Sequence, residues 1–247
     1  MTASPFKELA AVVCGNNGPR ILALLRAYLD ASNGGGIYAV GGFIGRESDW
    51  SAVEPIWKEA LATFRLGDDF HLAEIVPNLG HEKGSLCILH FSKIMGRSNL
   101  HGIGASCEIA HWQTRDTGYE NPYHFCFSMA LNILREEAGL EYDGEPVALV
   151  IDDDVQPHDL TEAIFAAYQK ESGDQFASLT FGSRKRFQPI QCSDLAVGAL
   201  RKEWLEGLLS HKQEAIRQYL GAIGPKARFT HFSAETERMV NEVLNRT

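Results

Sequence analysis

The chain has 247 residues, and its 23 basic and 32 acidic side chains give a formal net charge of −9. This balance argues against a protein that coats nucleic acid or an anionic membrane through bulk charge, although basic residues can still act locally. Hydrophobic residues make up 45% of the chain. The longest aliphatic run, 147–151, is nevertheless far shorter than the ~20 residues of a membrane-spanning helix, so we expect a globular protein without a membrane segment.

The cysteines and the first residues indicate the compartment. Five cysteines are scattered through the chain without a CxxC pair, which favours reduced thiols over a disulfide framework or a zinc ribbon. The stretch 1–18 has no long apolar core of the kind found in signal peptides. Together these features predict a cytoplasmic protein.

Apolar patterns along the chain predict a hairpin followed by alternating helices and strands. The apolar run 20–29 fits either a helix or a strand by its periodicity alone. A glycine-rich turn joins it to the apolar run 37–44, which is typical of a hairpin, so the end of the first run is expected to be a strand. A spacing of three and four predicts a helix over 52–66, whereas the polar stretch 67–84 is expected to be irregular. The remaining predicted elements are helices over 85–96, 123–138, 160–171, 190–209, 211–222 and 233–246 and strands over 100–113, 147–151 and 176–181.

This order of elements indicates an α/β protein whose sheet is covered by helices. Residues 1–19 are expected to form a lead-in, 20–206 the main domain, and 207–247 a helical extension packed on that domain. An apolar stripe in the last helix consists of Met239, Val240, Val243 and Leu244. The stripe fits packing against the domain, and it could equally serve a homodimer.

Acidic residues follow two of the predicted strands. Asp30 ends the first apolar run, and Asp152 ends the run 147–151. A carboxylate at the end of a buried strand is costly to desolvate, and two such acids can share that cost by binding a divalent cation. Hard oxygen ligands suit Mg²⁺ or Mn²⁺. Among the acids at 152–154 we expect Asp152 to be the ligand, because Asp153 should point to the opposite face.

Each acid also has a simpler interpretation. An aspartate after a strand often only accepts hydrogen bonds from the amides of a turn. Asp194 lies three residues after Gln191 on one face of a predicted helix, where Gly198 would let the helix approach the sheet and bring Asp194 near the other acids. Asp194 could instead only interact with the dipole in the first turn of its own helix.

The densest basic stretch of this acidic chain consists of Arg184, Lys185 and Arg186. With Arg201 and Lys202 further along the chain, it could hold a phosphate backbone near the acids. The alternative is a solvated loop without a binding role.

These segments together resemble a family of bacterial and phage proteins known as domain of unknown function 3800. That family carries a DE motif, often YxDESG, at the end of its first strand and a QxxD motif at the start of a late helix. The similar segments here are 28–33 (YLDASN) and 191–194 (QCSD), and 70–74 resembles the family's FHxxD/E segment. The resemblance extends over about residues 20–206.

The resemblance implies a ribonuclease H-like fold, with a mixed sheet whose first three strands are antiparallel. It also implies that acids from the first strand, a middle strand and a late helix meet at two metal ions. In this chain those acids are Asp30, Asp152 and Asp194.

One residue departs from the family pattern, because Ala31 stands where the DE motif has glutamate. Glu74 is the preferred candidate for a further carboxylate, ahead of Glu108. By the same resemblance, His71 is a candidate base or phosphate contact, and its alternative is a purely structural role.

We therefore expect a phosphodiesterase or nuclease that depends on Mg²⁺ or Mn²⁺ and hydrolyses nucleic acid. Gln191 would orient a ligand or contact the substrate, and Arg184, Lys185 and Arg186 would hold phosphates. The alternative is an inactive ribonuclease H-like module that binds nucleic acid or a protein partner, because Ala31 lacks the motif carboxylate. A third interpretation is a hydrolase of small phosphorylated metabolites that does not use the basic stretch.

Overall fold

A computed structural model describes residues 25–154, 158–206 and 226–237. The predicted lead-in 1–19, the predicted helix 211–222 and the apolar stripe within 239–244 lie outside these residues. The strands are β1 (Leu25–Gly34), β2 (Ile37–Arg46), β3 (His101–Glu108), β4 (Val147–Asp152), β5 (Phe176–Gly182) and β6 (Ala227–Phe232). The helices are α1 (Glu47–Phe64), α2 (Leu72–Leu79), α3 (His81–Arg97), α4 (Ile109–Trp112), α5 (Pro122–Glu141), α6 (His158–Ser172) and α7 (Gln188–Glu206).

The strands form one mixed sheet in the order β5-β4-β1-β2-β3-β6. β2 is antiparallel to both β1 and β3. β4 runs parallel to β1, β5 parallel to β4, and β6 parallel to β3. This arrangement confirms the predicted α/β class and the ribonuclease H-like mixed sheet, including its three antiparallel first strands.

Alternating strand residues separate two hydrophobic cores, one on each face of the sheet. Tyr28 and Val150 pack in the core formed with α1, α2, α3 and α7. Leu29 packs on the other face, in the core formed with α5 and α6. Asp30 follows Tyr28 by two residues, and Asp152 follows Val150 by two. Both acids therefore belong to the face that α7 covers.

α7 lies directly against the first two strands. Ser193 Oγ donates a hydrogen bond to the carbonyl oxygen of Tyr28 at 2.7 Å. A Cβ at Gly42 would stand only 2.6 Å from Ser193 Oγ, so the glycine makes this contact possible. The expected role of Gly198 in this approach is wrong, because a Cβ there would meet Leu72 Cδ2 of α2 at 2.4 Å.

Several elements differ from the sequence prediction. The predicted strand 100–113 is too long, because β3 ends at Glu108 and the helix α4 follows it. α1 begins at Glu47 instead of residue 52, and Asp49 Oδ2 in its first turn accepts a hydrogen bond from the Arg46 amide at 3.1 Å. The stretch 67–84 is not irregular, since it contains α2 and the start of α3. β6 was not predicted at all, and it brings part of the 207–247 extension into the sheet. Short elements such as α2 and β6 form because tertiary packing stabilises them.

Candidate functional site

A cleft of about 300 Å³ opens where β1, β4 and α7 meet. Its acidic lining consists of Asp30 on β1, Asp152 and Asp154 at the end of β4, and Asp194 on α7. The structure thus brings the three predicted metal ligands to one cleft and adds a fourth acid. The lining also includes three basic residues, His71, Arg184 and Arg201.

Asp30 lies in the middle of β1, not at the end of the strand as predicted. β1 continues to Gly34 as one arm of the hairpin, and Asp30 pairs with Gly41 of β2. On its other side, the pairing of β1 with β4 stops at Leu29 and Ile151. The cleft therefore begins where β1 loses its parallel neighbour, which an inspection of the β1 sequence cannot reveal.

Burial raises the pKa values of the three predicted ligands, Asp30, Asp152 and Asp194. Asp30 and Asp194 are each 7% exposed, and Asp152 is 2% exposed. Burial raises the pKa of Asp30 well above its ordinary value, and the charges of Asp194 and Asp152 raise that pKa further. Burial also raises the pKa of Asp152 to about 6 and raises the pKa of Asp194. A cation in the cleft would favour the ionised forms of all three.

Asp194 is held in place by the start of α2. Its Oδ2 accepts a hydrogen bond from the amide of Leu72 at 2.7 Å, which is one of the amides a helix leaves unpaired at its N-terminus. The simpler interpretation of Asp194, as a charge in the first turn of its own helix, is wrong because α7 begins at Gln188. The carboxylate stabilises the N-terminus of a neighbouring helix instead.

The acids after β4 form a compact group. One carboxylate oxygen from each of Asp152, Asp153 and Asp154 lies within 4.8 Å of the other two, a spacing that can hold a metal ion. Asp153 is exposed and does not line the cleft, although the turn after Asp152 keeps one of its carboxylate oxygens close to the other two. Asp30 and Asp194 lie outside this compact group. The carboxylate oxygens of the cleft are the ligand type that Mg²⁺ and Mn²⁺ prefer, so the donor atoms of the cleft suit such an ion in their chemistry.

Only the first residue of the predicted basic stretch lines the cleft. Arg184 is half-buried, and its Nε lies 3.6 Å from Asp69 Oδ1. Lys185 and Arg186 are exposed and do not contribute to the lining. The guanidinium of Arg186 lies over the ring of Phe187 at 5.6 Å. The structure therefore corrects the predicted phosphate-binding set, since Arg184 is the only residue of 184–186 that lines the cleft.

Gln191 was predicted to orient a ligand or to contact the substrate, and its surroundings favour a positioning role over direct contact. It is completely buried. Its Oε1 accepts a hydrogen bond from Trp57 Nε1 at 3.1 Å, and its Nε2 donates to the carbonyl oxygens of Asp68 and Arg184 at 2.8 and 3.1 Å. The side chain thus ties α1 and two loops to α7, and these loops carry Asp69 and Arg184.

His71 reaches the cleft, whereas Glu74 does not. His71 is the N-cap residue of α2 and lines the cleft beside Leu72. The Glu74 side chain is 65% exposed, lies 3.4 Å from His71 Nδ1 and does not contribute to the lining. Glu108 pairs with Ile37 at the end of β3 and also lies outside the lining. Neither glutamate brings a carboxylate to the position beside Asp30.

Two charged residues of the cleft, Asp154 and Arg201, were not among the predicted site residues. Asp154 was passed over in favour of Asp152, although it follows Asp152 by only two residues. Arg201 was considered together with the basic stretch as a phosphate contact near the acids, and it lies seven residues after Asp194 on α7. That interval is two helical turns, so helical periodicity could have placed Arg201 on the face of Asp194.

No family model matches the sequence, and no curated protein matches it. The resemblance to domain of unknown function 3800 therefore stays a prediction. Across the described ranges, no helix is both long and apolar enough to cross a membrane.

Proposed function

We propose that this protein is a phosphodiesterase that depends on a divalent metal ion and hydrolyses nucleic acid in the cleft between β1, β4 and α7. The observation that carries the proposal is the convergence of three buried carboxylates on one cleft that also contains two arginines. Buried acids of like charge become fully ionised near neutral pH when a cation balances them. The arginines supply the positive charge that a phosphodiester needs beside such acids.

The residues of the cleft divide into three roles. Asp30, Asp152 and Asp194 would hold Mg²⁺ or Mn²⁺, and a bound ion of this kind lowers the pKa of water and stabilises charge on the leaving oxygen. Arg184 would bind the non-bridging oxygens of the phosphate that is cleaved. His71 lines the cleft with a ring that is partly exposed, so it can accept or deliver a proton at an imidazole nitrogen.

Titration calorimetry with Mn²⁺ tests the metal site. We expect the wild-type protein to bind Mn²⁺ with an affinity that Asp194→Asn lowers at least tenfold, because the variant removes a buried negative charge while keeping an oxygen for the Leu72 amide. Glu59→Gln is a matched control, since Glu59 is an exposed acid on α1.

Cleavage of a labelled oligonucleotide in the presence of Mn²⁺ tests the reaction. Loss of both Mn²⁺ binding and cleavage in Asp194→Asn, with both retained in Glu59→Gln, is the expected result. Equal Mn²⁺ affinity in the wild type and Asp194→Asn would show that the cleft is not the metal site.

A module that binds nucleic acid without cleaving it is the second candidate. The observation that favours it is the missing carboxylate beside Asp30, where Ala31 lines the cleft and Glu74 lies outside. This candidate predicts that the wild-type protein binds the oligonucleotide and leaves it intact with Mn²⁺ or Mg²⁺.

A cytoplasmic location is part of the same proposal. The four cysteines within the described ranges are unpaired and buried. Reduced thiols of this kind are typical of proteins from a reducing compartment.

A further inference from the structure

Arg201 stands apart from the other basic residues of the cleft. Arg184 approaches Asp69, as described above, whereas Arg201 forms no ion pair with any of the described residues. The Nε of Arg201 is buried and has no hydrogen-bond partner among them. A buried donor without a partner costs free energy, so an acceptor from outside the protein would be favoured at this position.

The sequence of the hairpin makes room for this side chain. A Cβ at Gly34 would stand 2.6 Å from Arg201 Nη1, and Gly34 has a φ of +146°, which residues with a side chain rarely adopt. The guanidinium therefore packs against the end of the β1–β2 hairpin. It lines the same cleft as Ser32 and Asn33, just beyond Asp30 on β1.

Arg201 lies two helical turns beyond Asp194 on α7. Asp194, Gly198 and Arg201 follow one another at intervals of four and three, so they share one face of α7, and all three line the cleft. Seven residues of helix correspond to about 10 Å along the axis. Successive nucleotides of a helical strand rise by about 3.4 Å, so this length exceeds one nucleotide step.

We propose that Arg201 binds a second phosphate of the substrate, beyond the phosphate that lies at the acids, and thereby selects a nucleic-acid strand over a small phosphodiester. The inference rests on the proposed function for the position of the first phosphate. A guanidinium suits this role because its fixed fork of donors matches two phosphate oxygens and stays charged at any working pH. A molecule with a single phosphate cannot occupy both positions.

Two oligonucleotide ligands isolate the contribution of the second phosphate. One is a single-stranded 12-mer of thymidine with phosphorothioate linkages, which resist cleavage, and the other is the dinucleotide TpT, which has one phosphate. Dissociation constants are measured with Mn²⁺ for the wild type, Arg201→Gln and the control Arg97→Gln. Arg97 is an exposed arginine at the end of α3 and does not contribute to the cleft.

We expect the wild type to prefer the 12-mer and Arg201→Gln to lose about tenfold of that preference. The salt dependence of 12-mer binding should also weaken by about 0.7 in log–log slope, the value for one phosphate contact on a single strand. Arg97→Gln should keep the preference of the wild type. An unchanged preference in Arg201→Gln overturns the inference.

Cleavage of an unmodified 12-mer separates this inference from the proposed function. If the wild type cleaves the 12-mer and Arg201→Gln keeps the wild-type preference, the protein is an enzyme but Arg201 does not bind a second phosphate. If Arg201→Gln loses the preference and the wild type does not cleave the 12-mer, Arg201 binds a second phosphate and the protein is a binding module.

Discussion

Asp152 is a buried carboxylate whose charge should affect the stability of the protein. Burial raises its pKa from an ordinary value of 3.8 to about 6. The folded state therefore binds the carboxyl proton of Asp152 more tightly than the unfolded chain does. This tighter binding stabilises the folded state fully below pH 4, and the stabilisation is lost as the pH rises through 6. The ionised form, in contrast, is the one that binds a metal ion.

Asp152→Asn keeps the shape of the side chain and cannot ionise. Without metal, we expect the variant to gain stability relative to the wild type between pH 4 and 7, by on the order of 1–3 kcal/mol. Urea unfolding in a chelator at several pH values measures this difference. Addition of Mn²⁺ at pH 7 should reverse its sign, since only the wild type keeps the carboxylate. A difference that does not depend on pH would contradict the assignment.

At the scale of elements, the contact between α7 and the hairpin determines how close Asp194 comes to β1. A Cβ at Gly42 would stand 1.9 Å from the carbonyl oxygen of Tyr28, in addition to its clash with Ser193. Gly42→Ala should therefore destabilise the protein by about 3 kcal/mol, because either the strand or α7 must move. Thermal unfolding measures the loss, and Mn²⁺ affinity should fall with it.

Gly139→Ala is the matched control for this prediction. Gly139 is exposed on α5, and nothing lies within 4 Å of a Cβ built there. Alanine is the better helix former, so this variant should gain about 0.5–1 kcal/mol. If both variants lose the same stability, the cost at Gly42 does not come from crowding against Tyr28 and Ser193.

The elements also show what the sequence could predict. The positions of Asp30 and Asp152 after apolar runs predicted that these two acids could share a cation, and both do line one cleft. The apolar pattern of the two strands did not show that β4 pairs with β1 only as far as Leu29. This early end of the pairing produces the opening beside Asp30. α2 and β6 escaped prediction for a related reason, since their stability comes from partners distant in the chain. The sequence could not decide between the two roles of Gln191, because its three hydrogen-bond partners lie in other elements.

At the scale of the whole molecule, a second charged cluster lies far from the cleft. Buried Glu137 on α5 pairs with His101 Nδ1 and with Arg228 Nε of β6, each at 2.5 Å. His101 of β3 lies opposite Ile44 of β2, and Ile44 lies opposite Ala27 of β1. Ala27 precedes Asp30 by three residues, so the cluster is displaced from Asp30 by about 10 Å along the strands. α5 also covers the opposite face of the sheet from α7.

This separation predicts that the two clusters contribute independently to stability. Arg228→Leu should cost about 1–3 kcal/mol, because it leaves Glu137 with His101 alone, and partial exposure of Arg228 reduces the loss. Combined with Asp152→Asn, its effect should add within about 0.5 kcal/mol at pH 7 in urea unfolding.

Within the cleft the opposite result is expected. Asp152 is one of the charges that raise the pKa of Asp30, so Asp152→Asn lowers the cost of ionising Asp30. Asp30→Asn and Asp152→Asn should therefore stabilise the metal-free protein by less together than the sum of their separate effects at pH 7. Additive changes in the free energy of unfolding within this pair would show that the two carboxylates do not share one cleft. A non-additive change between either of these variants and Arg228→Leu would show that the two faces of the sheet are not independent.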